Sequence, residues 1–315
     1  MENVRLSLVL LYELSLGTKS KWFSYIKSLP QSTQLLLNAN PDIILAISNS
    51  SDLFFEFANI FNSVCRQYSY LYKLFNDNSS THLRDLCFTD YVWSVSIIMS
   101  RNNKLKVLDQ ERLILIPIWD MINHESLNQN VTTIFNVEEQ KFSFQLIKEI
   151  SNGDEELTMN YGKRNDINFL LFSGFVPNVN TENYYEFKLG LSKSDPIRSV
   201  KEKFLQQFNL TESQTFRIYH NLSDLPDELF YFVKISMAKE QDLEATHIIR
   251  KDKKCQEYLE TRFKILALQN QKQKEASISA LERLPNTHSY LKYLEIIHDN
   301  IGNILKNCCS LCQNA

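Results

Sequence analysis

The sequence has little glycine: six residues in a chain of 315. No G-x-G-x-x-G segment and no Walker-type phosphate loop occurs, so neither dinucleotide nor P-loop chemistry has its usual backbone cradle. Long apolar runs are also wanting. None reaches the roughly 18 residues that a membrane-spanning helix needs. The most apolar stretch, residues 6–16, carries Tyr12 and Glu13 and reads as a buried first helix; it lacks the small-x-small site of a signal peptide. Neither sign of charge dominates. With 34 Lys+Arg against 37 Asp+Glu the net charge is -3, so a mainly electrostatic grip on nucleic acid is not expected. The six cysteines, Cys65, Cys87, Cys255, Cys308, Cys309 and Cys312, form no disulfide framework, which fits a reducing compartment. Cys308-Cys309-Ser310-Leu311-Cys312 offers three thiolates where a structural zinc site wants about four ligands. It reads as an exposed tail of free thiols, and no metal is expected.

What is present is an ordinary globular composition, 43% hydrophobic and 23% charged, with room for about two domains. Residues 1–100 read as helical. In 53–75, Phe54, Phe57, Phe61 and Tyr68 recur at steps of three, four and seven, the spacing of a half-buried helix. Thr89 or Asp90 is a candidate N-cap for a helix through Trp93, Val95, Ile98 and Met99. From about 111 to 162 the period shortens. Residues 131–135 and 142–147 read as strands, the second alternating Phe142, Phe144, Leu146, and 156–161 reads as another. Asn152-Gly153-Asp154 is a turn that would use the positive φ open to glycine. Residues 166–173 read as a helix closed by Gly174. Beyond about 190 the chain reads as helical again. Ser194 or Asp195 would cap a helix opened by Pro196, and charged helices follow over 251–270 and 271–284. Helices, a small sheet region and helices again make an α+β fold with an all-α C-terminal domain.

Scarce polar residues gather at element ends in the middle stretch: Arg101-Asn102-Asn103, Trp119-Asp-Met-Ile-Asn-His124 and Asn160-Tyr-Gly-Lys-Arg164. Singly, each has an ordinary structural explanation as a corner, a turn or a helix end. His124 has no serine or cysteine in a hydrolase context, and the acidic runs Glu138-Glu139 and Asp154-Glu155-Glu156 read as solvent-facing turns.

In combination they say more. Leu115-Ile-Pro-Ile-Trp-Asp-Met-Ile-Asn-His124 is followed by two strands, then Asn160-Tyr-Gly162, then Ser173-Gly-Phe175. This order resembles the C-terminal half of a SET methyltransferase domain, in which an Asn-His segment threads beneath a strand-Tyr-Gly segment as a pseudoknot. Lys188-Leu-Gly-Leu-Ser-Lys-Ser-Asp195 and the helices after it resemble the Rubisco-lysine-methyltransferase-like subclass. Arg66-Gln-Tyr-Ser-Tyr70, the Arg-x-Asn after the preceding helix and Tyr-Gly-x-Arg resemble the branch of that subclass that methylates a histidine of actin.

The resemblance implies a partial SET domain with small β sheets, a helical insert over 1–90, a pseudoknot part over 91–188, and an all-α substrate-binding domain over 189–315. It implies methyl transfer from S-adenosylmethionine to a side-chain nitrogen of a protein, with actin as the substrate, by a cytoplasmic and secondarily nuclear monomer with no nucleic acid or membrane partner. Tyr161 would sit at the transfer point. Arg101, Asp120, Met121, Ile122, Asn123, His124, Ser173, Gly174 and Phe175 would border the cofactor, and Asn103, Trp119, Met159 and Arg164 the target ring. A lysine acceptor and a catalytically dead binding module are the alternative readings. The match enters the family's SET domain at the helical insert, with Met1-Glu-Asn-Val4 at its start. The expectation is therefore that the Gly-rich turn and strands covering the adenine side lie outside these residues, and that these residues alone transfer methyl weakly or not at all.

Overall fold

A computed structural model describes residues 2–77, 83, 86–107, 110–136, 138–139, 141–150, 153–245 and 252–314. The chain divides into two compact units, Met1–Thr181 with Ser279–Tyr293, and Glu182–Ile278 with Leu294–Ala315.

The first unit is built on helices. α1 (Glu2–Ser15) buries Leu10 and Leu11, α2 (Phe23–Ser28) buries Ile26, and α3 (Pro41–Ile47) is capped by Asn40, whose side chain accepts from the Asp42 amide. α4 (Ser51–Asn76) buries Leu53, Phe57, Val64 and Leu71, steps of four and seven that draw one stripe along a helix. α5 (Phe88–Arg101) is buried on most of its faces, with Tyr91, Val92, Val95, Ile97, Ile98 and Met99 in the core. The Tyr91 hydroxyl donates to Gln67 Oε1 at 2.8 Å, which ties α4 to α5. The N-cap of α5 is Cys87, with extended backbone, not Thr89 or Asp90. Asp90 falls instead inside the first turn, where a carboxylate complements the helix dipole.

Three short sheets follow in this unit. β1 (Asn103–Val107) pairs antiparallel with β2 (Gln110–Ile114). β3 (Asn123–His124) pairs in parallel with β6 (Thr158–Met159), two residues each. Between them β4 (Val131–Asn136) and β5 (Lys141–Leu146) form an antiparallel pair with Val131 opposite Leu146. The strand expected over 156–161 shrinks to the two residues of β6, and the chain passes beyond it through Gly162, whose φ is +89°. The alternation in β5 does not mark a buried face: Phe144 and Leu146 are 45% and 53% exposed. Gly153 lies in a turn without a positive φ, so glycine is not required there, and Asn152 lies outside the described residues. α6 (Asp166–Ser173) is capped by Asn165, whose side chain accepts from Asn168, and it ends at Gly174 in the left-handed region, φ +82°.

The second unit centres on an antiparallel pair, β7 (Tyr184–Gly190) with β8 (Ser213–Tyr219). Phe187, Leu189, Phe216 and Ile218 face a core shared with α7 (Arg198–Gln207), α8 (Asp227–Met237), α9 (Lys253–Leu281) and α10 (His288–Asn314). The region beyond 190 is helical as expected, apart from β8. α7 begins at Arg198, two residues past Pro196; the Asp195 carboxylate accepts from the Ile197 amide and from Lys201 Nζ. The helices expected over 251–270 and 271–284 are one helix, since no glycine or proline interrupts α9; Lys251 lies outside the described residues.

The cysteine cluster is also corrected. Cys308 and Cys312, one turn apart on α10, are 1% and 2% exposed within the core, not an exposed tail. Burial pushes both thiols up to about 12, so they are protonated packing groups at neutral pH.

Candidate functional site

Four segments meet at one cavity in the first unit. Ser100, Arg101, Asn102 and Asn103 arrive from the junction of α5 and β1, Trp119 and Asp120 from a 3-10 turn, Thr133 from β4, and Met159 to Gly162 with Arg164 from the end of β6. The cavity measures about 270 Å³. Each segment is placed by its own local chemistry. Asn102 ends α5 by turning its amide back onto the Ile98 carbonyl, which sends Asn103 into β1. The 3-10 turn (Trp119–Met121) is entered through Ile118, at φ 73° and ψ -48°. A β-branched residue at positive φ is strained, so the surroundings must hold this turn in place.

The crossing of β3 and β6 joins the other two segments. The Glu125 amide donates to the Met159 carbonyl at 2.9 Å. Asn130, 3% exposed, stitches the crossing: its Oδ1 accepts from the Thr158 amide at 2.8 Å and its Nδ2 donates to the Glu156 carbonyl at 2.9 Å. Tyr161 donates its hydroxyl to the Ile122 carbonyl at 2.7 Å, and its amide donates to His124 Nδ1 at 3.1 Å. The His124 ring lies 4.7 Å from Phe169 and 6.2 Å from Phe175, and its Nε2 faces Ser126 Oγ at 3.0 Å. Burial lowers the His124 pKa below its ordinary value. The imidazole is therefore neutral at pH 7, with Nδ1 as acceptor and the proton on Nε2.

The electrostatics are those of a half-enclosed polar site. Arg164 donates to Ser173 Oγ at 3.0 Å and lies over the Phe169 ring. Burial raises the Tyr161 phenol above its usual range, and the nearby Arg101 and Arg164 oppose that shift. Arg101 donates to the Asp120 carbonyl at 2.8 Å. Asn103 Nδ2, Trp119 Nε1 and Asp120 Oδ1 are buried with no hydrogen-bond partner among the described residues. Buried polar atoms of this kind are few in folded proteins. Three of them belong to residues that line one cavity.

Of the residues singled out in the sequence, Arg101, Asn103, Trp119, Asp120, Met159, Tyr161 and Arg164 line the cavity. Met121, Ile122, Asn123, His124, Ser173, Gly174 and Phe175 are not among its lining residues. Asn123 is exposed and donates to Glu156 Oε1 at 2.5 Å. Gly174 packs against backbone, where a Cβ would meet Gln34 C at 3.1 Å. Sequence reasoning missed Asn130, Thr133 and Tyr25. Asn130 sits ahead of a strand in a polar stretch with no period. Tyr25 reaches Asp120 across 95 residues, which no local pattern signals.

This architecture is a known one. The fold is that of a SET domain: the chain matches the crystal structure of the SET domain of LSMT bound to lysine and AdoHcy with a TM-score of 0.75 at 18% identity, over 98% of this chain and 74% of that one. The structure of Rubisco LSMT bound to AdoMet matches with a TM-score of 0.72 at 17% identity. Residues 192–288 match the family described as Rubisco LSMT substrate-binding. In sequence, the chain is related to the actin-histidine N-methyltransferases. It is 30% identical to that of Xenopus tropicalis over 255 residues, 79% of this chain and 43% of the relative, and 31% identical to that of Danio rerio over 252 residues, 77% and 41%. The chain thus spans less than half the length of these relatives.

Proposed function

We propose that this protein is an S-adenosylmethionine-dependent protein N-methyltransferase whose acceptor is a histidine of actin. The observation that carries the reading is the convergence of Tyr161, Asn103, Trp119 and Arg164 on one cavity with two buried, unpartnered N–H donors. The names of the sequence relatives favour the histidine acceptor and the actin substrate.

The residues present fit the amino-acid end of the cofactor. Arg101 offers a partly exposed guanidinium to a carboxylate at the cavity wall. S-adenosylmethionine would supply a methyl group activated on a sulfonium. The work left to the chain is alignment and exclusion of water, because displacement at carbon needs the nucleophilic nitrogen in line at near-attack distance. The Tyr161 ring narrows the cavity. Its hydroxyl proton is committed to the Ile122 carbonyl, so toward the reactants the oxygen could act only as an acceptor. A histidine acceptor attacks through one ring nitrogen while the other carries the proton. Asn103 suits the second nitrogen: its amide oxygen accepts the ring N–H and fixes the tautomer. Trp119 and Arg164, also on the cavity wall, would bound the ring on other sides.

The test is a transfer assay with S-adenosylmethionine and unmethylated actin, the product mapped by mass spectrometry. One added methyl on an actin histidine is expected, at a low level from these residues alone. A methyl found only on lysine would replace the acceptor, and no transfer alongside no binding of S-adenosylhomocysteine would end the enzyme reading.

A further inference from the structure

Asp120 is the most constrained carboxylate at the cavity. Its side chain is fully buried, its Oδ1 has no partner among the described residues, and Arg101 Nη1 stands 3.7 Å from Oδ2. A carboxylate so placed is costly unless a donor holds it. The donor is Tyr25, whose hydroxyl reaches Asp120 Oδ2 at 2.5 Å. Burial lifts the Asp120 carboxyl above its usual range, and the hydrogen bond from Tyr25 and the Arg101 charge work against that lift. The Tyr25 ring is itself anchored, packed on the cluster of Leu10, Ile26, Leu29, Ile97 and Ile98. Tyr25 therefore connects a fixed apolar core to the 3-10 turn that carries Trp119 and Asp120.

That turn needs holding. It is entered through the strained Ile118 and is closed by three backbone bonds, Asp120 to Ile116, Met121 to Ile118 and Ile122 to Trp119, at 3.1–3.2 Å. Arg101 grips it from one side through the Asp120 carbonyl, and Tyr25 from the other through the carboxylate. We propose that Tyr25 is a positioning residue of the site: its hydroxyl on Asp120 clamps the strained turn and so sets the aim of Trp119 and Arg101 in the cavity. The proposal rests on the reading of that cavity as the cofactor and acceptor site, and it concerns a residue outside the cavity wall.

The test combines two readouts on the full chain. Hydrogen exchange of the Asp120, Met121 and Ile122 amides is followed by mass spectrometry in wild type, Tyr25→Phe and the exposed control Tyr70→Phe. Binding of S-adenosylhomocysteine is measured by calorimetry on the same three proteins. Loss of a hydrogen bond to a buried charge predicts about tenfold faster exchange at these amides and about tenfold weaker binding in Tyr25→Phe, with the control unchanged. Should Tyr25→Phe not fold, Asp120→Asn, which weakens the same bond while keeping the side-chain shape, is read by the same exchange. Unchanged exchange overturns the clamp. Faster exchange with wild-type affinity overturns the positioning role. If wild type itself binds no S-adenosylhomocysteine, the reading of the cavity fails, and the exchange data still decide whether Tyr25 clamps the turn.

Discussion

The imidazole of His124 accepts the backbone N–H of Tyr161 at 3.1 Å, so the two halves of the site are tied by a neutral histidine. This bond sets the height of the Tyr161 ring relative to β3. His124→Phe would keep the ring volume against Phe169 while leaving the Tyr161 amide without its acceptor. The expected loss is about 1–3 kcal/mol in urea unfolding, with a larger fractional fall in methyl transfer. Unchanged stability would show that the ring contacts alone hold the crossing.

Tyr161→Phe separates the ring from the hydroxyl. Only the bond to Ile122 is removed, so stability should fall by about 1 kcal/mol. Transfer should fall about ten- to hundredfold, because alignment at the reacting centre is what the hydroxyl supports. Wild-type turnover in a protein of unchanged fold would remove Tyr161 from the transfer point.

Asn103→Ala tests the acceptor. The amide is placed to hold one tautomer of a histidine ring, a demand that a lysine amine does not make. Transfer to a histidine peptide should drop at least about tenfold more than transfer to a matched lysine peptide. Equal losses would contradict the tautomer role.

Gly174→Ala addresses whether Gly174 borders a cofactor or packs the fold. Its φ is +82°, and an added Cβ would meet Gln34 C at 3.1 Å and Leu35 N at 3.2 Å, both backbone. Strain and clash together should cost about 2 kcal/mol or more, seen as a lower Tm. A normal Tm with weakened S-adenosylhomocysteine binding would return Gly174 to the cofactor.

In the second unit, His298 is 2% exposed and its Nδ1 meets Asn270 Oδ1 at 2.7 Å, and burial lowers its pKa to about 4. The unfolded chain binds this proton near pH 6.5 and the folded chain only near 4. Stability from His298 is therefore full above about pH 6.5 and falls on acidification toward 4, by up to about 3 kcal/mol. Urea midpoints measured from pH 7 to 4 should fall less steeply in His298→Gln. Parallel slopes would show that other groups carry the acid sensitivity.

Much of the first unit was legible in the sequence because its signals are local. The aromatic spacing of α4, the Gly174 end of α6 and the short strands β4 and β5 follow from period and turn chemistry within a few residues. The site residues were legible as a set of motifs, since Arg101, Asn103, Trp119, Tyr161 and Arg164 lie near element ends. What was not legible depends on distant partners. Tyr25 acquires its role only through Asp120, Asn130 only through Thr158 and Glu156, and the burial of Cys308 and Cys312 only through the core around them. The boundary of α5 missed for another reason: Cys87 is a poor cap by type, and its extended backbone begins the helix regardless.

The pairing of β3 with β6 brings Asn123 opposite Thr158 across 35 residues of chain, through only two residues on each side. Closing a loop of that length costs on the order of 3 kcal/mol, and doubling it adds only about 0.6 kcal/mol. The site thus tolerates growth of what lies between its two halves far better than change at the crossing. Length differences among related chains should gather between β3 and β6, where chain can be added without moving the residues that meet at the crossing.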